Sequence, residues 1–392
     1  MQVVTEPVAK PAQDGRNALR RLQLNLRGNK KQDNTELLDA CGRDFKYSAC
    51  REEYWNPEEY SLLYGTPFWD QASTSERRLL NQLYWVAYYS QIISAEVATI
   101  YLNQCAAAGL YVVNDFRVVC DNLDFESSQE RAHIDAFSRV SSAVESEVFG
   151  ERIFSRPVRP YYSETMVFQN TNRLKASYKR LQIQAFSLIA SGSPFLGCQY
   201  FTVRGLRTLN GKMIQHRLSD TYRQHADQEN APLPSKISYH HFLDESHHFN
   251  CSTIISHDLV RMVPAPTAFE RWVTNKLIRG CQRDHFYFST AINGIFWYDP
   301  ALYKTVYRLF RSKPFGFTDS DAREMLRKCF TVESDALHAS DRTHRTAIES
   351  YKAYVADMEY LNEANRDMRL ISRNSVEEQL LENRAGFRSF QP

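Results

Sequence analysis

One short stretch of the chain puts ionisable side chains where a soluble helix normally buries apolar ones. Within residues 239–250, His241, Glu245 and His248 are spaced at i, i+4 and i+7. At about 100° per residue, the three side chains fall within roughly 60° of arc on one helix face. Burying ionisable groups there is costly unless something compensates them. A transition-metal ion would do so, and imidazole with carboxylate suits iron or manganese.

Length and composition allow a large helical core around such a face. The chain has 392 residues, of which 43% are hydrophobic and 13% aromatic, enough for one large domain or two ordinary ones. The net charge is +2 with both signs interspersed, so composition gives no case for a nucleic acid or an anionic membrane as partner.

Cysteine usage and hydropathy predict a cytoplasmic protein. The eight cysteines are scattered singly with no CxxC pair, which is typical of free thiols in a reducing compartment. Residues 1–15 are polar and contain no signal-peptide core. The most apolar stretch, residues 83–102, is interrupted by Gln91, Ser94 and Glu96, so we predict no membrane span.

Helix-start and helix-break signals predict an all-α chain without useful strand alternation. Ser73 and Glu76 form a capping box that begins a helix reaching about residue 109. A second helix is expected over about residues 116–148. A third helix should start near residue 172 and break near Gly192 and Pro194.

The second half of the chain continues the helical pattern. Residues 205–234 are polar and predict a long excursion that could cover a pocket, and Ser235 is expected to cap the fourth helix. Thr267 and Glu270 form another capping box, which should begin a fifth helix reaching about residue 296. We expect a mobile N-terminal arm (1–50), a dimetal bundle (51–311) and C-terminal helices and a tail packed on it (312–392).

Two weaker signals on the first helices combine with the opening stretch. Glu96 lies in the middle of an apolar helix, where alone it would suggest a side chain that reaches a polar edge or pairs with an arginine. Glu130 and His133 form an E-x-x-H pair on the second helix. A glutamate from one helix, an E-x-x-H from the next and a later E-x-x-H, here Glu245 with His248, are typical of the carboxylate-bridged dimetal site of ferritin-like bundles.

The order of these residues, with the additional His241, resembles the di-iron N-oxygenase family of p-aminobenzoate oxygenase over roughly residues 75–300. The resemblance implies a ferritin-like four-helix bundle core with additional flanking helices, and a catalytic site with two iron ions, or manganese, that activates O2. The metal ligands that it implies are Glu96, Glu130, His133, His241, Glu245 and His248.

One part of that family pattern is missing. The third helix should supply another glutamate, but residues 172–210 contain no Asp or Glu. Small residues lie in this region, among them Gly197 and Cys198, which we take as the candidate halide side of the site. Either the site is altered, or a small residue opens a coordination position for an anion such as chloride. The second alternative resembles the dimetal-carboxylate halogenases, which halogenate unactivated carbons of fatty acyl chains in biosynthetic pathways.

The expected function is therefore O2-dependent halogenation of a fatty acyl chain. The family implies a fatty acyl or other small apolar substrate, a carrier protein that bears it, and an external electron donor; self-association is left open. An amine N-oxygenase or hydroxylase is the alternative if a carboxylate from outside residues 172–210, for instance Glu164, completes the site. A non-catalytic metal-binding helical scaffold is the second alternative.

Other polar and aromatic residues are expected to be structural. No ligand companion at helical spacing accompanies His257, His285, His338 or His344. We expect core packing for Tyr88, Tyr89 and Tyr200, and packing rather than nucleophilic chemistry for Cys198. For Asp244, a contact to a histidine N–H and simple solvent exposure are both open.

Overall fold

The computed structural model describes residues 12–111, 113–154, 173–292, 302–371 and 375–392. Within these ranges the chain is helical and contains no strand, so the all-α prediction is confirmed. The helices are α1 (Ala12–Lys31), α2 (Thr35–Asp44), α3 (Tyr47–Cys50), α4 (Pro67–Gln71), α5 (Thr74–Leu110), α6 (Arg117–Phe149), α7 (Arg173–Ala190), α8 (Pro194–Arg223), α9 (Leu233–Thr253), α10 (Ala268–Ile292), α11 (Tyr303–Arg311), α12 (Asp319–Thr331), α13 (Asp335–Val355), α14 (Glu363–Arg366) and α15 (Val376–Arg388).

The long helices α5, α6, α8 and α9 form the core, in an arrangement compatible with a ferritin-like bundle. Helices α5 and α6 run antiparallel, because Asn103 contacts Ser127 while Gln104 contacts Asp124. Helices α8 and α9 pack most extensively on each other. Residues 150–193, which include α7, connect the two helix pairs, as in bundles with one crossover connection.

The predicted helix starts and breaks are confirmed where the sequence signals were strongest. The Ser73 hydroxyl accepts from the Glu76 amide while the Glu76 carboxylate accepts from the Ser73 amide, which closes the capping box of α5. Ser193 caps α8, and Pro194 occupies its first turn, so α7 and α8 are separate helices. The capping box of Thr267 and Glu270 begins α10, as predicted. The expected end of this helix, residue 296, lies outside the described residues.

The predicted excursion over residues 205–234 is wrong for most of its length. Helix α8 continues without interruption to Arg223, and only residues 224–232 connect it to α9. The polar residues are satisfied within the helix pairs: Asp220, for example, accepts from both Arg217 and Arg223. The cap at Ser235 is also wrong, because Ser235 lies inside α9 and its hydroxyl donates to the Trp55 carbonyl.

The expectation of a mobile arm is wrong from residue 12 onward. Helices α1 and α2 pack on α6 and α9, and Leu22 of α1 and Leu38 of α2 are fully buried. Polar contacts hold the two helices in place, since Asn25 donates to the His247 carbonyl and Asn29 to the Gln129 side chain. The division into a bundle of residues 51–311 and a C-terminal part stays a prediction.

The remaining helices surround the bundle. The aromatic segment before α5 packs onto the core, with the Trp55 and Trp85 rings edge to face at 6.2 Å. Helix α13 packs on α8 and α10, and α15 packs on α12. Among the described helices, none combines the length and the apolar character that crossing a membrane requires.

Candidate metal centre

The six predicted ligands converge in the interior of the bundle, although they come from three helices. Glu96 lies on α5, the pair Glu130 and His133 on α6, and the other three side chains on α9. All six are buried, with Glu245 the most exposed at 9%. The structure therefore brings the six side chains together, while their role as metal ligands stays a proposal.

The cluster divides into two overlapping groups. Within each group, one potential ligand atom per residue lies within 4.8 Å of every other. The first group is Glu96, His133, His241 and Glu245, and the second is Glu130, Glu245 and His248. Glu245 belongs to both groups, as a carboxylate bridging two metal ions would. We call them the four-residue half-site and the three-residue half-site.

Different ring nitrogens of the three histidines face the cluster. Nδ1 of His133 is 3.5 Å from Glu96 and 3.3 Å from Glu130, and Nδ1 of His248 is 3.0 Å from Glu245. His241 instead presents Nε2, which lies 3.2 Å from Glu96. Its ring packs on the rings of Phe137 and Tyr89, so aromatic groups close this side of the cluster.

The cluster's charges strongly perturb its acid–base chemistry. Burial lowers the pKa of His248, but the nearby carboxylates of Glu245 and Glu130 raise it by more. The net effect is a rise of this pKa to about 10. Burial and Glu245 tend to raise the pKa of Glu130, but His248 and His133 outweigh them and lower it to about 2. Burial and the Glu130 charge keep the pKa of Glu96 raised. Imidazolium and carboxylate groups therefore compensate one another in the metal-free cluster.

Unpaired polar atoms show that the residues fit a metal ion. Both carboxylate oxygens of Glu96 and both ring nitrogens of His241 are buried without a well-formed hydrogen bond. Orphaned buried polar groups are rare in proteins and mark an absent partner. Imidazole and carboxylate are ordinary ligands of divalent transition metals, so this buried cluster could hold a metal ion.

Comparison with known proteins now identifies the family. The family model described as acyl halogenase CylC-like matches residues 17–391, nearly the whole chain. The chain belongs to the CylC-like acyl halogenase family. No match was found among curated proteins, and none among solved structures. The wider resemblance to the di-iron N-oxygenases stays a prediction.

Among the described residues, the third core helix, α8, contributes no carboxylate to the cluster. The lack of Asp and Glu in residues 172–210 had suggested this gap. The interpretation of Gly197 and Cys198 as the halide side is corrected by the structure. A Cβ on Gly197 would lie 3.5 Å from the Ala106 carbonyl, and Cys198 is in an apolar cluster with Ala106. Ala106 lies ten residues beyond Glu96 on α5, about 15 Å along the helix axis.

A different glycine of α8 lies at the level of the cluster. Arg204 contacts Asn103 of α5, and Gln215 faces Tyr88 of α5, so both residues are on the inner face of α8. Gly211 follows Arg204 by two turns on that face and lies between these two contacts. It is buried, and a Cβ built on it would meet no described heavy atom within 4 Å. Open space therefore adjoins α8 where a third-helix carboxylate would be expected.

The histidines set aside in the sequence have other partners. His257 packs on the Tyr354 ring, His338 contacts Glu333, and His344 contacts the Ile371 carbonyl. The side chain of His285 and the whole of Glu164 lie outside what the structure describes. Burial alone raises the pKa of the Cys198 thiol to about 12, consistent with packing rather than with a nucleophile.

Contacts behind the ligands were mostly invisible in the sequence. Asp244 is fully buried and lies 3.1 Å from Nε2 of His133, which decides between its two predicted roles. Gln129 holds His248 in a similar way, and no sequence signal marked it. One helical turn from Glu130, Glu126 forms a buried ion pair with Arg204 at 2.7 Å. The only sequence signal for this pair was an Arg within residues 172–210, which contain no Asp or Glu.

Proposed function

We propose that this CylC-like protein halogenates an unactivated carbon of a fatty acyl chain at a di-iron centre. The six buried Glu and His side chains would hold the two ions, with Glu245 between them. A bound di-iron pair would supply the electrons for O2 reduction and the oxidising power that an aliphatic C–H bond demands. The family supports the acyl substrate and the halogenation, and the side-chain cluster supports the metal.

The unequal half-sites are the observation that carries the proposal. Glu130, Glu245 and His248 provide three ligands to one ion, whereas the other has four candidates. We take the missing ligand to be the carboxylate that α8 does not supply, and Gly211, where a Cβ would meet no described heavy atom within 4 Å, as the position with room for a replacement. A halide held there would restore the missing negative charge.

The protein's own residues would keep the reaction dry and oriented. Glu96, Glu130 and the three histidines are at most 4% exposed. The rings of Phe137 and Tyr89 close the cluster at His241, and burial holds the pKa of the Tyr89 phenol far above its ordinary value, so it stays neutral. An apolar acyl chain would enter such a site more readily than a charged amine.

The partners follow from this chemistry as part of the proposal. O2 and chloride are the co-substrates, with manganese as the alternative metal. An external electron donor is part of the proposal, because reducing O2 to water takes four electrons and converting a C–H bond into a C–Cl bond supplies only two. A carrier protein would present the acyl chain within a biosynthetic pathway.

Metal analysis is the first test. The purified protein should bind about two iron ions per chain, and His248→Ala should lose one of them, because it removes the only imidazole of the three-residue half-site. A protein that binds no metal would instead be a scaffold, and the proposal would fail.

Product analysis is the second test. Reduced, iron-loaded protein is incubated with O2, chloride and an acyl substrate, free or carrier-bound, and the product should gain mass with the isotope pattern of chlorine. Gly211→Glu should suppress chlorination because it restores a carboxylate on α8. Gly280→Glu, at a helical glycine on α10 that is also open, is the matched control and should not suppress it. A chloride-independent gain of oxygen would identify an oxygenase and contradict the assignment.

A further inference from the structure

A buried amide connects the metal cluster to the N-terminal helices. The side-chain oxygen of Gln129 lies 3.0 Å from Nε2 of His248, on the side of the ring that faces away from the cluster. Its side-chain nitrogen donates to Asn29 of α1 at 3.0 Å and to Asp33, in the turn between α1 and α2, at 3.3 Å. Gln129 is fully buried and Asn29 nearly so. The Asn29 amide also donates to the Gln129 oxygen at 2.9 Å, so the Gln129 amide has two partners for its oxygen and two for its nitrogen.

Asp33 decides which way the Gln129 amide points. Asn29 cannot decide it, because Asn29 and Gln129 pair as two amides and exchange one hydrogen bond in each direction. Such a pair could be reversed without losing either bond. An ionised carboxylate only accepts, so Asp33 requires the NH2 group of Gln129 on its side. The carbonyl oxygen of Gln129 must then face His248.

The orientation of this amide determines the tautomer of His248. A carbonyl oxygen only accepts, so the Nε2 atom opposite it must carry the hydrogen. Nδ1 of the neutral ring then presents its lone pair to Glu130 and Glu245, at 3.4 and 3.0 Å, where the three-residue half-site is formed. With the hydrogen on Nδ1 instead, the only free lone pair of the ring would be on Nε2, which faces Gln129 and not the half-site.

We infer that Gln129, oriented by Asp33, is a positioning residue that fixes His248 as an Nδ1 ligand of the three-residue half-site. The inference rests on the proposed metal site and adds a function for the α1–α2 turn. The opposite half-site uses a direct carboxylate contact, because Nε2 of His133 faces Asp244. The amide serves the same purpose without placing a negative charge next to His248, so the two half-sites differ in charge as well as in ligand number.

Metal titration of the anaerobic protein with Co²⁺ tests this inference. Gln129→Met keeps the length and removes the acceptor. We expect one of two equivalents to bind about 10–100-fold more weakly, which is typical for loss of such an outer contact, and the other to be unchanged. Asp33→Ala should weaken the same equivalent to a smaller degree. Thr35→Ala, which removes only another partner of Asp33, is the matched control and should bind like the wild type.

Nitrogen NMR of the protein with labelled histidine gives a second readout, because it reports which ring nitrogen carries the hydrogen. In the zinc-loaded wild type, His133 and His248 should carry the hydrogen on Nε2, and His241 on Nδ1. At a zinc concentration that saturates the wild type, His248 of Asp33→Ala should show this pattern only in the fraction of molecules that bind zinc there, whereas His133 should keep it in full. Because Asp33 is exposed, this variant can test the inference even if Gln129→Met does not fold.

The possible failures are distinguishable. A wild-type protein that binds no metal would contradict the proposed function itself. Two tight equivalents in Gln129→Met, or an equal weakening of both equivalents, would overturn the positioning role and leave the metal site intact. A hydrogen on Nδ1 of wild-type His248 would overturn the positioning role and also exclude Nδ1 as a metal ligand. Equal weakening would be the sign of a packing residue.

Discussion

At the scale of single side chains, the cluster is a set of opposite charges that stabilise each other inside a helical core. The pKa of His133 is raised well above its ordinary value, because Asp244, Glu130 and Glu96 outweigh the effect of burial. The pKa of Glu245 is lowered, because His248 and His241 outweigh burial in the same way. Without metal, His248 carries a proton at neutral pH, because its pKa is about 10. A metal ion must displace that proton before it can bind through His248.

The first prediction is that metal affinity rises with pH. His248 has a pKa of about 10 in the metal-free cluster, so each metal ion that binds through it at neutral pH releases its proton. The apparent affinity of that equivalent should increase about tenfold per pH unit between pH 6.5 and 9. Competition with a chelator of known protonation constants measures it. An affinity independent of pH over this range would show that His248 is neutral before binding.

The second prediction concerns the buried ion pair between Arg204 and Glu126. Arg204→Met would leave the Glu126 carboxylate buried without its partner, at a cost of about 3–5 kcal/mol in the free energy of unfolding. Adding Glu126→Leu should recover much of the loss, because two apolar side chains need no compensation. Urea denaturation measures both variants. Arg327→Met, at an exposed pair with Glu324, is the control and should change stability by about 0.5 kcal/mol or less.

Sequence reasoning found the ligands on α9 because their spacing lies within one helix. His241, Glu245 and His248 share a face whatever the rest of the chain does. Joining them to Glu96 and His133 needed the resemblance to a known family. The contact between Gln129 and Asp33 joins α6 to the α1–α2 turn. These residues are far apart in the chain, so no local sequence pattern could predict their contact. The nitrogen that each ring presents is set by the same tertiary contacts.

At the scale of helices, strong local signals predicted boundaries well and polarity predicted them badly. Capping boxes and the proline at residue 194 act through neighbouring backbone groups, so they keep their meaning in the folded chain. The polar sequence after residue 204 suggested a loop, yet α8 buries part of that polarity. Arg204 pairs inside the bundle, and Asp220 is held by two arginines of its own helix. A buried polar face has no hydrophobic period for the sequence to show.

The third prediction concerns the close approach of α13 to α8 at Gly205. A Cβ on Gly205 would lie only 2.0 Å from the Tyr354 hydroxyl, which is also hydrogen-bonded to Ser256. Gly205→Ala should therefore displace the ring and lower the free energy of unfolding by about 1–3 kcal/mol. Gly280→Ala, on α10 with open space around it, is the matched control. It should stabilise the protein by up to about 1 kcal/mol, since it only improves helix propensity. Equal effects of the two variants in urea denaturation would contradict the close packing.

At the scale of the whole molecule, segments far apart in the chain support one centre. The sequence predicted an all-α protein around a dimetal site, but placed α1 and α2 outside it. Their polar and charged residues, densest at 27–34, suggested an arm with too few apolar residues to pack. Those apolar residues are enough: Ala18 and Leu22 are buried against the bundle, and Asn25 and Asn29 reach its interior. The N-terminal helices are therefore part of the site's support.

The fourth prediction is that metal loading stabilises the entire fold. The candidate ligands come from α5, α6 and α9, so bound ions would tie α9 to the ligands of α5 and α6, which lie more than a hundred residues earlier in the chain. An ion that binds only the folded state adds about 2.7 kcal/mol of stability at a free concentration of 100 Kd. The melting temperature should rise with added iron or Co²⁺ and fall on chelation. The rise should be smaller in His248→Ala and unchanged in His338→Ala, whose imidazole lies on the surface. A melting temperature indifferent to metal would mean that the cluster's own ion pairs, rather than a metal ion, are what these buried residues were selected to form.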